Sequence, residues 1–491
     1  MTDEGKAAAE TTIALESSRF AADELHVRKV RGVEGMNRLF SFEIEVASLG
    51  RRGPSAEEMA GADATLVITR SPGHVSGWHG TRRVSGMIAE VEDLFDAHED
   101  RRVHRLRLAP RAFAMTLVEM QDIYIDDTVP AIVKQKLAAV RLGDACSLRL
   151  SRSYPPREFV VQYKESDLAF VSRLVEHLGI AFFFEHGDAG DVMVFADDPS
   201  GFTRLPEGGS IAYHARGEAR DVYELSERRR VVPGYYAVRD YNYRTPLVDL
   251  TAERELAGAH AGGVIEYGAH HKTPDEGKAL AEIRAEERRA TEIVYTGRST
   301  VAALAPGVRF RVEDHPALGS VDLLVVEVEH HGVLPEAFAG SSEPPRYENT
   351  FRAIPADRMY RPPRVTPRPR IAGLVTGVVD AGTLGAEAKT AHIDDQGRYR
   401  VRFFFDTTPP GERVASHPVR MLQNHAGEGY GTHFPLKPGT EVAIGFVDGD
   451  PDRPIIVGAA PNPIKPSPVT NVIPGLHRIR TSTGITIDIS E

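Results

Sequence analysis

The sequence predicts a mainly β fold with a few helices, of the α+β class. Apolar and polar residues alternate over residues 40–46, a period of two that is typical of a strand with one buried face. Similar short strands recur at Ala64–Thr69, Val84–Val91 and Val103–Leu108, which favours barrels or sandwiches. Helical periodicity is confined to three segments, so strands dominate the prediction.

Each helical segment has its own start signal or apolar face. The first is predicted to start near Thr128, a candidate N-cap, and carries one apolar stripe. The second follows Ser166 and is expected to stop at Gly179. The third begins with Thr273-Pro274-Asp275-Glu276, which combines a cap, a proline at the first helical position and a glutamate three residues after the cap. It is predicted to run to about residue 290.

Composition narrows the function classes. The chain has 491 residues, enough for three or four domains, and a formal net charge of −11, which weighs against a nucleic-acid binder. Its single cysteine, Cys146, excludes an intrachain disulfide framework and makes a cysteine-based zinc site improbable. Apolar runs are too short to span a bilayer, and the polar N-terminus lacks the features of a signal peptide. We therefore expect synthesis and folding in the cytoplasm, without stable membrane insertion.

A second β region follows a proline-rich segment at 354–370, which is typical of a stiff extended linker. Tyr399, Val401, Phe403 and Phe405 alternate with arginines, and another strand from Glu441 is closed by the turn dipeptide Asp448-Gly449. About 90 residues of such strands predict a small OB-type barrel. The last segment, 479–489, has a strand pattern with no obvious partner within the protomer, so it either pairs with other chains or belongs to a truncated sequence.

Two blocks of residues resemble the signature of VgrG proteins, and together the resemblance covers nearly the whole chain. The first block comprises Val161, Gln162, Tyr163, Lys164, Glu165, Ser166, Asp167, Phe170, Arg173, Leu174, Glu176, Gly179, Ile180 and 182–186. The second comprises Gly397, Arg398, Val401, Phe403, Gln423, Ala426, Gly427, Pro438, Gly439, Thr440, Glu441, Val442, Gly449, Asp450, Pro451, Asp452, Arg453, Pro454, Gly458 and Asn462. We expect these residues to have structural roles.

The resemblance implies a region like a phage baseplate hub with two tube-like β-barrels and a small insert domain, then an OB-fold and the start of a trimeric β-helix. The domain bounds expected from it are 1–115 for the first hub barrel, 116–220 for the α+β insert, 221–353 for the second hub barrel, 354–370 for the linker, 371–462 for the OB-fold spike domain and 463–491 for the neck and start of the needle. Two features depart from the family: tryptophans common around its OB-fold are absent here, where Trp78 is the only one, and the long β-helix is missing.

The resemblance also implies a function. The chain is expected to be the structural spike of a contractile injection machine such as the type VI secretion system, without enzymatic activity and without a catalytic, metal or cofactor site. Expected partners are two further copies of the chain in a homotrimer, a hexameric Hcp-like inner tube protein, a PAAR-like tip protein or an effector, and baseplate proteins. The protein would be assembled in the bacterial cytoplasm and then ejected from the cell or into a target cell.

Alternatives stay open at this point. The chain could be part of a spike fused to an enzymatic effector domain beyond residue 491, or the spike of a phage tail or an extracellular injection system. A nucleic-acid-binding OB protein is a weaker option, since Arg398, Arg400 and Arg402 share one strand face and Arg228-Arg229-Arg230 is a basic run.

Other motifs are more simply interpreted as structural. The pairs His270-His271 and His330-His331 are poor chelates because neighbouring residues on a strand face opposite ways. The glycines of 427–431 are followed by a β pattern where a dinucleotide loop needs a helix. The segment Gly449–Pro454 is interpreted as a tight corner in which Asp450 or Asp452 accepts backbone N–H bonds and Arg453 pairs with an acid.

Overall fold

A computed structural model describes residues 11–21, 24–49, 53–71, 78–94, 101–206, 209–215, 221–256, 258, 261–334, 345–381, 392–409 and 412–490. Strands dominate these residues, as predicted. The N-terminal segment 1–10, on which most of the signal-peptide prediction depends, lies outside them.

Short strands make up most of the regular elements and are numbered along the chain. The first strands are β1 Thr11–Ser17, β2 Leu25–Gly35, β3 Ser41–Leu49, β4 Asp63–Arg70, β5 Gly80–Leu94, β6 Arg101–Ala109, β7 Glu119–Tyr124, β8 Cys146–Arg149, β9 Val160–Ser166, β10 Ala181–Gly187, β11 Gly190–Ala196, β12 Thr203–Arg204, β13 Ser210–Ala212 and β14 Val222–Arg229. They continue with β15 Tyr235–Arg239, β16 Ala252–Glu255, β17 Gly263–Tyr267, β18 Ile293–Ser299, β19 Val308–His315, β20 Gly319–Val333, β21 Arg346–Pro355, β22 Val375–Val379, β23 Val401–Phe403, β24 Ala426–Gly427, β25 Tyr430–Gly431, β26 Glu441–Phe446, β27 Pro454–Ala459, β28 Leu476–Arg480 and β29 Thr486–Ser490. The helices are α1 Ala56–Met59, α2 Val129–Ala139, α3 Asp167–His177 and α4 Pro274–Arg289.

One 13-stranded sheet contains strands from both predicted hub barrels. Its main path runs β1-β4-β5-β6-β3-β2-β20-β21-β18-β14, and β19 adds to β20 and pairs with β12 and β13. The two sets of strands join where β2 pairs antiparallel with β20, with Gly32 opposite His330. Gly32 is required there because a Cβ at that position would collide with the ring of Phe42.

Strands β14 and β18 to β21 of this sheet bury a continuous apolar core. It includes Phe310, Leu323, Val328 and Phe351, each at most 3% exposed. The partner strands alternate inward apolar residues with outward polar ones, as expected for antiparallel sheets with one solvated face.

The three predicted helices are confirmed. Thr273 caps α4 by accepting a hydrogen bond from Glu276 N over 3.2 Å, and Thr128 Oγ1 accepts from Ala131 N at the start of α2. The short helix α1 was not predicted, although Ser55 and Glu58 form a complete capping box around it.

Two smaller sheets lie among the strands of the hub-like region. One has the order β10-β11-β8. The other has the order β16-β15-β17, and its Tyr236, Val238 and Ala252 pack with Leu280 and Ala281 of α4. Helix α4 thus covers one face of the second small sheet.

The chain divides into two compact units, and the division does not follow the chain order. The first comprises 1–118, 133–154 and 167–367, and the second comprises 119–132, 155–166 and 368–491. The core of the second unit joins Ile123, Phe159 and Val161 to residues of the four-stranded sheet β23-β22-β26-β27, among them Val401 and Ile444. Strands β7 and β9 therefore supply part of the core around the predicted OB-fold. The domain bounds inferred from the sequence remain a prediction.

The expectation that the last strand has no partner within the protomer is wrong. Strand β29 pairs antiparallel with β28, with Ile479 opposite Ile487 and Arg478 opposite Asp488. Arg478 Nε also donates to Asp488 Oδ1 over 2.8 Å. The hairpin closes at Gly484, whose φ of +98° suits glycine.

Candidate functional site

The first signature segment forms strand β9 and the turn into α3. Gln162 is fully buried, and its Nε2 donates to the backbone oxygen of Glu165 over 3.1 Å. Tyr163 N donates to Glu165 Oε1 over 3.4 Å, and Lys164 between them has a φ of +48°. Ser166 ends the strand opposite Glu119 of β7. These contacts therefore stabilise an irregularity within β9, where its register with β7 shifts.

Asp167 is the first residue of α3 and is fully buried. Its Oδ1 lies 3.0 Å from Lys136 Nζ, and both side chains are nearly inaccessible to solvent. A carboxylate at a helix N-terminus is favoured by the helix dipole. Arg173 and Lys136 both lie over the ring of Phe170, at 5.0 and 5.8 Å from its centroid. The ionic side chains of this segment thus hold the start of α3 in place.

Gly179 ends α3, as the sequence predicted. Its φ of +68° lies in the left-handed region, which glycine adopts without strain. A Cβ at this position would lie only 2.5 Å from Ile283 Cγ2 and 2.9 Å from Arg361 Cδ. Conformation and close packing therefore both require glycine here.

The second signature block includes the corner between β26 and β27, and the predicted interpretation of this corner is confirmed. Asp450 Oδ1 accepts from the backbone N of Asp452 over 3.1 Å, and its Oδ2 accepts from Arg368 Nη1 over 2.9 Å. Arg453 Nε lies 3.9 Å from the same Asp450 carboxylate. Asp452 Oδ1 accepts from the backbone N of Val161 over 2.8 Å, which joins the two signature blocks within the second unit. Pro451 is buried in the corner and Pro454 begins β27.

The remaining signature residues of the second unit also lie at turns and strand ends. Gly397 and Gly439 both have a φ of +71°. Arg398 Nε donates to Asp394 Oδ2 over 2.7 Å, which holds the turn around Gly397. Glu441 begins β26, and its Oε2 accepts from Asn462 Nδ2 over 2.9 Å. The signature residues Asp167, Arg173 and Gly179, described above, belong instead to the first unit.

A buried network in the large sheet was missed at the sequence level. Glu34 on β2 accepts two hydrogen bonds from Arg82 Nη2, at 2.6 and 2.9 Å. His330 Nε2 lies 2.9 Å from Glu34 Oε1, and His330 Nδ1 lies 2.7 Å from the Tyr347 hydroxyl. Asn349 Nδ2 donates to the same hydroxyl over 3.2 Å. The network links β2, β5, β20 and β21 at the point where the two sets of hub strands join.

The electrostatics of this network favour a charged Glu34 and neutral histidines. Burial would raise the pKa of Glu34, but Arg82 and His330 outweigh it and lower this pKa to about 2. Burial lowers the pKa of His330. Burial, together with the Arg82 charge, lowers the pKa of His186 to about 4, and its Nδ1 accepts from Ser85 N over 3.1 Å. His330 Nδ1 accepts from the Tyr347 hydroxyl, whereas its Nε2 lies close to Glu34 Oε1 without the alignment of a hydrogen bond. The Arg82 bonds to Glu34 and the Tyr347 hydroxyl therefore fix the geometry of the network.

The histidine pair at 330–331 behaves as its strand position predicts. His330 is 3% exposed, whereas His331 lies on the solvent face of the same strand. In the described ranges, no group of three or more His, Cys, Asp or Glu side chains is placed to hold a metal ion. The glycines of 427–431 form a hairpin of the short strands β24 and β25.

Three of the six basic residues proposed for the nucleic-acid alternative are engaged in ion pairs. Arg398 pairs with Asp394, and Arg402 lies 3.4 Å from Asp406, whose side chain is 1% exposed. In the basic run 228–230, Arg229 pairs with Glu227. These contacts weaken the case for a phosphate-binding face.

An exposed apolar surface lies on the terminal hairpin of β28 and β29. Ile479, Ile485, Ile487 and Ile489 are 50%, 67%, 56% and 63% exposed. A two-stranded hairpin has marginal stability alone in water, and apolar side chains at this density are typical of an interaction surface. This hairpin is therefore the clearest candidate for contact with another chain.

Two family models match the chain, one over the hub-like region and one over the OB region that follows it. The model of the phage tail baseplate hub (GPD) matches residues 33–335, more than half of the chain. The chain belongs to the phage tail baseplate hub family. The model of the type VI secretion system/phage-baseplate injector OB domain matches residues 389–460, which contain strands β23, β26 and β27 of the second unit of this hub protein.

Curated relatives of this hub protein confirm the resemblance to VgrG proteins. The type VI secretion system spike protein VgrG4b of Pseudomonas aeruginosa is 32% identical over 465 residues, which cover 91% of this chain and 55% of that protein. The actin cross-linking toxin VgrG1 of Vibrio cholerae is 28% identical over 431 residues, which cover 85% of this chain and 38% of that protein. The hub protein thus spans about half the length of the curated relatives it matches.

Solved structures agree with the same assignment. The E. coli c3393 protein, described as a component of the type VI secretion system with structural similarity to the T4 bacteriophage tail proteins gp27 and gp5, is 26% identical with a TM-score of 0.65 over 91% of this chain and 100% of that chain. A chain of the lidded Francisella PdpA-VgrG complex has a TM-score of 0.63 at 9% identity, over 99% of this chain and 76% of that chain, which shows a shared fold. In the described part of the hub protein, none of the helices combines the length and apolar character needed to cross a membrane.

Proposed function

We propose that this chain is the hub and spike of a type VI secretion system. One observation carries the proposal: VgrG spike proteins align with about nine-tenths of the chain, through both the hub and the OB regions. The work of such a protein is mechanical, and the chain itself catalyses no reaction. The buried, hydrogen-bonded signature residues support this, since they stabilise turns and corners.

The spike acts as a homotrimer that caps a hexameric, Hcp-like inner tube and helps to nucleate its assembly. Closed cyclic symmetry supports this arrangement, because three chains that each contribute two sets of hub strands present six similar surfaces to a six-fold ring. The exposed isoleucines of the terminal hairpin, such as Ile479 and Ile487, supply an apolar surface for neighbouring copies. The signature residues in this view keep the hub turns and the OB corner rigid under load.

The far end of the spike carries a PAAR-like tip protein or an effector, and the hub end contacts baseplate proteins. The PdpA-VgrG complex supports the idea of cargo, since it is a complex of a VgrG protein with another component. The protein is assembled in the bacterial cytoplasm and is ejected from the cell or into a target cell when the machine contracts.

A second candidate function is a spike that is continuous with an enzymatic effector. The observation behind it is the relative named an actin cross-linking toxin, of which this chain covers only 38%. Reading the gene downstream of codon 491 tests it: an additional globular domain in frame supports this candidate, and a stop codon or a β-helix alone rejects it.

The solution mass of the purified chain, by mass photometry, tests the spike proposal first. A homotrimer has roughly three times the chain mass of 53.8 kDa. A trimer that also binds rings of an Hcp-like tube protein at one end supports the proposal. A product of the whole gene that stays monomeric and binds no tube protein would contradict it.

A further inference from the structure

Residues 361–366 have no regular secondary structure, yet they make many hydrogen bonds to other elements of the first unit, to which they belong. Arg361 is only 2% exposed. Its Nη1 donates to two backbone oxygens, those of Gly179 and Asp197, each over 2.9 Å. Its Nε donates to Glu286 Oε2 over 2.7 Å. One side chain therefore joins the end of α3, the segment after β11 and helix α4.

Arg364 makes a second set of contacts with a different element. Its two terminal nitrogens donate to the two oxygens of Glu266 on β17, at 2.6 and 2.9 Å. Its Nη2 also donates to the Tyr236 hydroxyl on β15 over 2.9 Å. Bidentate contacts of this kind are among the stronger charge-assisted hydrogen bonds.

The backbone that follows Arg364 is held by Glu176 of α3. The Glu176 carboxylate accepts from the backbone N of Val365 over 3.1 Å and from that of Thr366 over 3.0 Å. It also accepts from Thr366 Oγ1 over 2.7 Å. Glu176 is 1% exposed, so these three bonds replace the water that its charge would otherwise bind.

The sequence explains why both arginines reach the same surface. Pro362 and Pro363 favour the polyproline II conformation, which has three residues per turn, so Arg361 and Arg364 lie on the same side. That surface is rich in carboxylates from three elements: Glu176 of α3, Glu266 of β17, and Glu286 and Glu287 of α4. Arg364 lowers the pKa of Glu266 in spite of its burial.

The carboxylates of this surface differ in where their arginine partners come from. Arg284, which is fully buried, pairs with Glu287 over 3.1 Å and also donates to the backbone oxygen of His177. The contacts to Glu266 and Glu286 described above come from Arg364 and Arg361. A partly buried carboxylate that loses its partner is destabilised, so this acidic surface and the segment stabilise each other.

We propose that the acidic groove formed by α3, α4 and β17 is a docking site for the chain's own segment 361–366, which acts as a strap. The strap locks these three elements together, and it opens as a separate unit before the sheets unfold. This inference goes beyond the spike function and does not depend on it, because every contact lies within the first unit.

Trypsin tests the strap in the full-length chain, because the Arg364–Val365 bond lies in it and is not followed by proline, unlike Arg361 and Arg368. We expect this bond to resist cleavage in the wild type. Glu176→Gln and Arg361→Ala each weaken charge-assisted hydrogen bonds to the strap, so cleavage there should rise by roughly tenfold or more. Asp275→Asn on α4 is the matched control, since its side chain is 93% exposed and pairs with Lys278 at the surface.

Native-state hydrogen exchange of the Val365 and Thr366 amides gives an independent reading that does not require cleavage. Both variants should lose protection at these two amides, while amides of the large sheet, such as that of Phe351, keep theirs. The proposal is overturned if wild type and variants are cleaved at equal rates. It is also overturned if protection in the strap and in the large sheet falls in parallel, because the strap would then open only with global unfolding.

Discussion

The backbone N of Val161 donates to Asp452 Oδ1 over 2.8 Å, although 291 positions separate the two residues. Val161 is fully buried, so its N–H group has no access to water as an alternative partner. This bond fixes β9 to the corner that precedes β27 within the second unit. We therefore expect Asp452→Ala to destabilise the second unit by about 1–3 kcal/mol, the usual cost of an unpaired buried donor.

Asp452→Asn is the matched control for that change, because the amide oxygen of asparagine still accepts from Val161 N. Hydrogen exchange of core amides in the second unit, such as those of Val401 and Ile444, reports its free energy of unfolding separately from that of the first. Equal destabilisation by alanine and asparagine would show that the Val161 bond contributes nothing and that only the charge matters.

Gly179→Ala should be among the more damaging small substitutions in the first unit. The left-handed conformation costs alanine about 1–2 kcal/mol, and overpacking against Ile283 adds about 1–3 kcal/mol. Gly262→Ala is the control, since Gly262 has a φ of +77° but no neighbour within 4 Å of its would-be Cβ. Urea denaturation should place the Gly179 variant clearly below the Gly262 variant. Similar midpoints would mean that strain alone, without the contact to Ile283, sets the cost.

Local signals in the sequence were sufficient to predict the three longer helices and the corner of the OB region. Thr273 with Glu276 predicted the start of α4, and Gly179 predicted the end of α3, because caps and left-handed stops depend on neighbouring residues. The corner at Asp450 was predictable for the same reason. The one-turn helix α1 is too short to show periodicity, so it was missed in spite of its capping box.

Long-range partners were not predictable from one sequence. Glu34 falls in phase with Val30 on the buried face of β2, which signals a buried charge, but its partners Arg82 and His330 are 48 and 296 residues away. The arginines of the proline-rich segment likewise gave no sign of their acidic groove. The partner of β29 was missed for a different reason: the turn that closes at Gly484 lies within a stretch whose alternation is typical of one continuous strand.

Acid should destabilise the first unit through the buried histidines. The pKa of His186 is lowered to about 4, and that of His330 is also lowered, so the unfolded chain binds more protons than the folded chain below pH 6.5. The free energy of unfolding therefore falls as the pH drops from about 6.5 to about 4, by at most about 3 kcal/mol for His186. Below about pH 4.5, Glu34 adds to the loss, because the unfolded chain protonates it first and the folded chain only near pH 2.

Urea denaturation of the full-length chain between pH 7.5 and 4 measures this dependence. His186→Gln removes one titrating group but keeps an acceptor for Ser85 N, so its stability should vary less with pH than that of the wild type. His331→Gln serves as the control, since His331 is on the solvent face of β20. If the His186 and His331 variants retain the same slope as the wild type, the buried histidines are not the cause of acid sensitivity.

The terminal hairpin provides the sharpest test of the proposed trimer. Ile479 and Ile487 lie opposite each other on β28 and β29 and are about half exposed, at 50% and 56%. If this face packs against neighbouring copies, the double substitution Ile479→Asp with Ile487→Asp places charges in an apolar interface, where unpaired charge is strongly unfavourable. We expect the mass in solution to fall from three chains to one at micromolar concentration.

The folded protomer should tolerate the same double substitution, because both side chains lie outside its cores. An unchanged circular dichroism spectrum would therefore accompany the loss of mass, whereas the melting temperature should fall because the trimer no longer stabilises the folded chain. Thr486→Asp is the control, since Thr486 alternates with Ile487 along β29 and so points to the other face of the hairpin. If the trimer survives the double substitution, its contacts lie on other surfaces of the chain. If the trimer is also lost in the Thr486 variant, both faces of the hairpin are packed.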